Sequence, residues 1–305
     1  MLNNRAMPTM LVDIATVYYR AYFSMPESMT APHGQQINAV RGTFDALMHF
    51  VHRYQPQHLV TAWDLDWRPE WRVALLDTYK TARVAAADEE QMPDTLSDQV
   101  DLIRTGLSEL GVPCIGVEGF EADDIVAQYV RHATGPTYVV SGDRDLFQLV
   151  DDERQISVLY LGTGVAKHSL VNNRYIEERF GIRADQYAHF SVLRGDASDG
   201  LPGVRGIGEK TAAALLREFG NLEAIQNAAH REDSTLKPRI RQALLEHEDY
   251  LYRACQVVLL NQEITVPAVT KEWRKPSPSP TLVEMGMTQA APAYGMTRSE
   301  EHTSE

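Results

Sequence analysis

Acidic residues recur beside short apolar runs: Asp13 ends TMLVD, Asp64 ends LVTAWD, and Asp143-Arg-Asp145 follows TYVVSG. Further along stand Glu121-Ala-Asp123-Asp124 and the Asp196 and Asp199 of GDASDG. Two carboxylates ~4 Å apart repel by roughly 4 kcal/mol at an effective dielectric near 20. A pocket holding this many would protonate, or fail to form, without cations. All-oxygen donor sets suit hard ions such as Mg²⁺ or Mn²⁺. Two such ions side by side can activate a water and stabilise the leaving oxygen of a phosphodiester. Taken singly, each acid reads equally well as a helix N-cap or a turn residue. Zinc does not fit, because the 10 histidines are scattered and none stands in a CxxC or HExxH context.

Two further segments carry chemistry. Leu201–Ala212 (LPGVRGIGEKTA) misses a Walker loop, because Glu209 separates Gly208 from Lys210, and its glycines are in the wrong order for a dinucleotide fingerprint. It reads instead as a helix–hairpin–helix turn, whose backbone N–H groups take a phosphate without reading sequence. A simple helix-connecting turn is the plainer alternative. Between Asp64 and Glu121, Arg68, Arg72, Lys80 and Arg83 are interleaved with Trp67, Trp71 and Tyr79, a pattern that suits single strands. If that segment is helical, Arg72 and Arg83 project about 20° apart and Lys80 lies within roughly 80° of Arg72. An ordinary amphipathic surface helix would look similar.

These residues need elements to position them. Thr9–Asp13, Leu59–Asp64 and Thr137–Ser141 have the length and apolar content of buried strands. Asn38–Tyr54, Leu96–Leu110 and Ala122–His132 have helical spacing. Strand–helix alternation predicts an α/β fold with a mainly parallel central sheet flanked by helices, and ligands bind beyond the carboxyl ends of such strands. The expected organisation is an α/β core over 1–164, with a basic segment at about 67–95. A helical subdomain follows over 165–267, with its turn at 201–212, and then a linker (PSPSP) and a tail without order over 268–305. Arg298–Glu305 (RSEEHTSE) matches a translated sequencing-adapter oligonucleotide and is set aside.

Composition bounds the class. The 305 residues are 44% hydrophobic and 23% charged, which excludes a wholly disordered or fibrous chain. No apolar stretch approaches the ~18–20 residues of a membrane span. The N-terminus lacks a signal core, and Cys114 and Cys255 lack metal or disulfide spacing. These features lead us to expect a cytoplasmic protein. A net charge of −13 argues, taken alone, against a nucleic-acid partner.

Four motifs in order, LVDIATVYYRAY, YKTAR, FEADDIVA with VVSGDRDLFQLV, and LRGDASDGLPGVRGIGEKTA, change that balance. Across roughly residues 10–265 the chain resembles the 5′-nuclease superfamily of flap endonucleases and polymerase I 5′→3′ exonuclease domains. LDWRP and LYLG bring it nearest to the stand-alone bacterial exonucleases. The resemblance implies a PIN-like core with a helical arch, and metal-dependent 5′→3′ exonuclease and flap-endonuclease activity on DNA. It implies one ion on Asp13, Asp64, Glu121 and Asp123, and a second on Asp123, Asp143, Asp145 and Asp199, with Asp124 and Asp196 in support. It places Lys80, Arg83 and Arg72 on the arch as catalytic cations and Tyr79 beside DNA. Gly203, Arg205, Gly206, Gly208, Lys210 and Thr211 become the duplex-binding turn, with K⁺ as its companion. A nucleoid-associated monomer acting on flap, nicked or 5′-ended DNA is expected. Ile14 departs from the family's usual glycine there, and PSPSP stands where a helical segment is common. A non-catalytic DNA-binding relative and a nuclease of RNA-containing strands are the rival readings. A haloacid-dehalogenase-type phosphohydrolase fails, because Asp13-Ile14-Ala15 lacks the D-x-D it requires.

Overall fold

The expected α/β alternation is present in a computed structural model, which describes residues 8–84, 92–232, 235–260, 262–268 and 279–287. One sheet holds β1 (Thr9–Asp13), β2 (His58–Ala62), β3 (Cys114–Ile115), β4 (Thr137–Ser141), β5 (Ile156–Tyr160) and β6 (Ser169–Val171), in the order β3-β2-β1-β4-β5-β6. All neighbours are parallel except β5 and β6. Along β1, Met10 and Val12 enter the core on one face while Leu11 enters the core on the other. Both faces are covered, which is why the strands read as unbroken apolar runs.

The helices are α1 (Ile14–Ser24), α2 (Asn38–Tyr54), α3 (Glu70–Leu75), α4 (Asp94–Glu109) and α5 (Ala122–Arg131), followed by a helical region. That region comprises α6 (Asn173–Phe180), α7 (Tyr187–Arg194), α8 (Glu209–Phe219), α9 (Leu222–His230), α10 (Pro238–Glu246) and α11 (Glu248–Val258). α1, α2 and α4 cover one face of the sheet. α5 and the helical region share the core on the other, so sheet and helical region are packed as one body. Among the described residues no helix is long and apolar enough to cross a membrane.

Three expectations are corrected. Ser169–Val171 is a strand, pairing antiparallel with β5, so the sheet runs past residue 164. The basic segment is not one helix. α3 ends at Leu75, a 3₁₀ turn covers Thr81–Arg83, and Lys80 between them adopts a left-handed φ of +49°. No common helical face therefore aligns Arg72, Lys80 and Arg83; residues 85–91 of the expected arch lie outside the described residues. Within the expected tail, α12 (Pro280–Glu284) docks beside α4. Leu282, Met285 and Met287 are buried there, and Thr281 donates to Glu109 at 3.0 Å. Five residues are too few to show helical periodicity. PSPSP before 279 and Arg298–Glu305 lie outside the described residues.

Candidate active site

The strand order reverses between β1 and β4, and ligands of open α/β sheets bind beyond the carboxyl ends of the strands at such a point. A crevice of about 820 Å³ opens there, lined by Asp13, Asp64, Glu121, Asp123, Asp143 and Asp199. Asp145 adjoins it against Asp123, Asp143 and Asp199. Each acid is aimed by local chain geometry. Asp13 ends β1 and caps α1 through Thr16, and its carboxylate also accepts from the Ser141 hydroxyl at 2.7 Å. Asp64, two residues beyond β2, accepts from the Ala122 N–H at 2.7 Å and so ties β2 to the start of α5. Glu121 is the N-cap of α5, and Asp123 stands in its first turn. The Asp143 N–H donates to Ser141 Oγ, and Asp143 Oδ1 accepts from the Asp145 N–H, both at 2.9 Å.

Asp199 arrives from a different part of the chain. GDASDG closes into a loop pinned by two backbone hydrogen bonds between Asp196 and Leu201. Gly200 has φ +72°, and a Cβ on it would lie 1.9 Å from the Thr78 carbonyl oxygen. Only glycine permits this approach. Across the contact Thr78 Oγ1 donates to the Gly200 carbonyl at 2.7 Å, and the Lys80 N–H to the Asp199 carbonyl at 3.2 Å. The loop that carries Asp199 therefore also fixes the backbone of Lys80.

Burial, then mutual repulsion, pushes Asp123 and Asp145 well above the ordinary carboxylate range. Asp13, Asp64, Glu121 and Asp143 are raised as well, with burial the largest cause in each. Three cations oppose this, Arg72 among them at 3.4 Å from Glu121. The Lys80 ammonium pairs with Glu121, and the Arg83 guanidinium lies 3.5 Å from Asp199. Burial alone would lower the Lys80 pKa, but Tyr79, Glu121 and Asp199 outweigh it and hold the ammonium well above its usual range.

Other expected site residues serve the scaffold instead. Arg72 is 2% exposed. It clamps both Asp124 oxygens at 2.7 and 2.8 Å, donates to the Val257 carbonyl at 3.0 Å and stacks on Trp71. Asp124 is thereby taken, and it also accepts the Glu121 N–H at 3.2 Å. It is not free to bind an ion, and Arg72 is not a substrate-facing cation. Tyr79 is buried and donates to the Glu121 carboxylate, so it does not face DNA. Asp196, though held by Arg194 and the Ser198 backbone, also lines the crevice with Asp199. Gly203 presses against the backbone of Arg194 and Gly195, and its N–H donates to the Tyr250 hydroxyl, which removes it from any phosphate contact.

The remaining turn residues differ in exposure. Val204 and Ile207 are buried anchors, while Arg205, Gly206, Gly208 and Lys210 are exposed at the start of α8, with Thr211 half-buried behind them. Sequence reasoning did not single out Thr16, Ser141, Arg20, Tyr160 or Arg194, which also shape the crevice. Thr16 and Arg20, three and seven residues after Asp13 on α1, had a signal in their helical spacing.

The donors fit a hard divalent ion. They are all oxygens, crowded enough to resist ionisation, and a +2 charge would relieve that. Among the described residues no three of them already close around one point, and Lys80 holds Glu121. Loading an ion would thus require side-chain rearrangement.

Two family models match the chain. The family model described as 5′-3′ exonuclease, N-terminal resolvase-like domain, matches residues 8–181, and the 5′-3′ exonuclease C-terminal SAM fold matches residues 182–281. A 5′-3′ exonuclease of Streptomyces coelicolor is 48% identical over 263 residues, 85% of this chain and 87% of that protein. One of Mycobacterium tuberculosis is 42% identical over 281 residues, 88% of each. Among solved structures, the bacteriophage T5 flap endonuclease in a pseudo-enzyme–product complex with DNA and metal ions superposes with a TM-score of 0.65. It is 22% identical, covering 83% of this chain and 89% of that one, and this likeness supports the fold.

Proposed function

The chain belongs to the 5′-3′ exonuclease family, and we propose that it hydrolyses DNA phosphodiesters at 5′ ends and 5′ flaps in a crevice that holds two divalent ions. The observation that carries this reading is the crowding of Asp13, Asp64, Glu121, Asp123, Asp143, Asp145 and Asp199 at the switch point of the sheet. Asp13, Asp64, Glu121 and Asp123 would hold one ion and Asp123, Asp143, Asp145 and Asp199 the other, Mg²⁺ or Mn²⁺ by their oxygen chemistry. When bound, such ions would lower the pKa of the attacking water and offset charge at the leaving oxygen.

The protein's own groups do the rest. Ser141 and Thr16 orient Asp13, and the α5 N-terminus fixes Asp64. Lys80 and Arg83 line the same crevice and would meet the scissile phosphate, where charge grows in the transition state. Arg205, Lys210 and the exposed glycines before α8 would grip duplex backbone without reading bases, accompanied by K⁺. We read the enzyme as a monomer of the nucleoid that acts on flap, nicked and 5′-ended DNA. All the proposed ligands are present, which distinguishes it from a relative that only binds.

The test is cleavage of end-labelled 5′-flap, nicked and single-stranded DNA, and of an RNA-containing flap, in Mg²⁺, Mn²⁺ or EDTA. The expected result is release of 5′ products from flap and nicked DNA with either ion, and none in EDTA or from Asp143→Asn. Cutting in EDTA, or at the parent rate by Asp143→Asn, would overturn the reading.

A further inference from the structure

Lys80 does more in this structure than stand near the reaction. It is 8% exposed, and its ammonium is bound to the Glu121 carboxylate, with the Trp67 carbonyl 3.4 Å away. It also lines the same crevice as Asp64, Asp123 and Asp143, and lies with Asp145 and Asp199 at its floor. One ammonium therefore offsets negative charge across both proposed ion positions. The backbone that carries it is held separately, by Asp199 and the Gly200 contact with Thr78. A flexible four-carbon stem on a fixed backbone lets the head move while the residue stays put.

Glu121 does not depend on Lys80 alone. Tyr79 donates to its carboxylate at 2.9 Å, and an Arg72 nitrogen stands 3.4 Å away. Withdrawing the ammonium leaves that carboxylate hydrogen-bonded and oriented. An ammonium and a divalent ion on the same carboxylate repel each other, and that repulsion favours whichever carries more charge into a site this acidic.

We propose that Lys80 is the resident counter-cation of the crevice, and that a divalent ion takes Glu121 by displacing it. Metal loading and release of the Lys80 head toward the substrate phosphate are then one exchange, which holds the amine back until the ions that need it are in place. This rests on the metal-centre reading above.

The exchange predicts an inversion, in which removal of a catalytic residue improves metal binding. Calorimetric titration of the full chain with Mn²⁺, without DNA, should show Lys80→Met binding about tenfold more tightly than the parent, equivalent to roughly 1.4 kcal/mol. In the parent, acetic anhydride labelling read by peptide mass spectrometry should modify Lys80 several-fold faster in saturating Mn²⁺. The exposed Lys210 should be indifferent to the ion. Equal or weaker Mn²⁺ binding by a Lys80→Met chain that melts like the parent overturns the exchange, and so does Lys80 labelling that is unchanged or slowed by Mn²⁺. If Lys80→Met does not fold, the labelling of the parent decides. A parent that binds no Mn²⁺ overturns the metal centre and the exchange together. Parent binding without the inversion overturns the exchange alone.

Discussion

Arg72→Ala should damage the protein through its fold and not through its grip on DNA. The guanidinium is 2% exposed and bonds to both Asp124 oxygens and to the Val257 carbonyl, so it joins α3, α5 and the C-terminal part of α11. Asp124 is equally buried. Taking away one partner of such a pair strands the other charge at a cost of about 3–5 kcal/mol. At roughly 2–4 °C per kcal/mol for a domain of this size, melting should fall by about 6–20 °C. Duplex affinity of the folded protein, measured in Ca²⁺, should match the parent. The double variant Arg72→Met/Asp124→Leu should recover most of the loss, because neither charge is then stranded. The remaining deficit should be about 1 kcal/mol, from the Glu121 N–H that Asp124 now caps. Thermal melting by circular dichroism, beside a binding titration, reads both quantities. An Arg72→Ala protein that melts with the parent but binds DNA poorly would refute the buried-clamp reasoning and restore Arg72 to the surface.

Three other outcomes follow from the same geometry. Asp123 has a pKa raised above 3.8 by burial and by Asp143 and Asp13, so its ionisation destabilises the metal-free fold as pH rises past that value. Asp123→Asn should therefore melt at or above the parent at pH 7 without metal while losing cleavage, and a lower melting point would count against the repulsion argument. Gly208 has ordinary φ and open space around it, so Gly208→Val should keep the parent melting point but weaken duplex binding. Lys210→Ala should lower the salt slope by about 0.9; unchanged affinity and slope would place the duplex elsewhere. His49 is held below its usual 6.5 by burial, His168 and Arg53, so the unfolded chain takes up a proton that the native state resists, and stability falls as pH drops below that value. His49→Gln should flatten the decline in melting temperature between pH 7 and pH 5, and an unaltered decline would assign acid sensitivity to other groups.

The acids were legible because strand ends announce themselves. A short apolar run that stops at a carboxylate marks the end of a buried strand, and Asp13, Asp64 and Asp143 all follow that rule. Asp124 and Asp123 cannot be told apart that way. They are neighbours on one helix turn, and only the buried Arg72 shows which of them the scaffold uses. The basic segment misled for a related reason. Its spacing suits a helix, but Gly200 draws Thr78 and Lys80 onto the Asp199 loop, and that contact spans more than 100 residues of chain. Local periodicity carries no trace of it. The antiparallel β6 and the five-residue α12 were too short to show a period.

The central claim is that the switch-point carboxylates form a divalent-metal centre, and the most direct test is a crystal of the full chain grown with Mn²⁺ and measured at its absorption edge. Anomalous peaks should lie among Asp13, Asp64, Glu121, Asp123, Asp143, Asp145 and Asp199, with Asp124 still on Arg72. Ordered Mn²⁺ bound only elsewhere, or a saturated crystal with no peak among these carboxylates, would contradict the account.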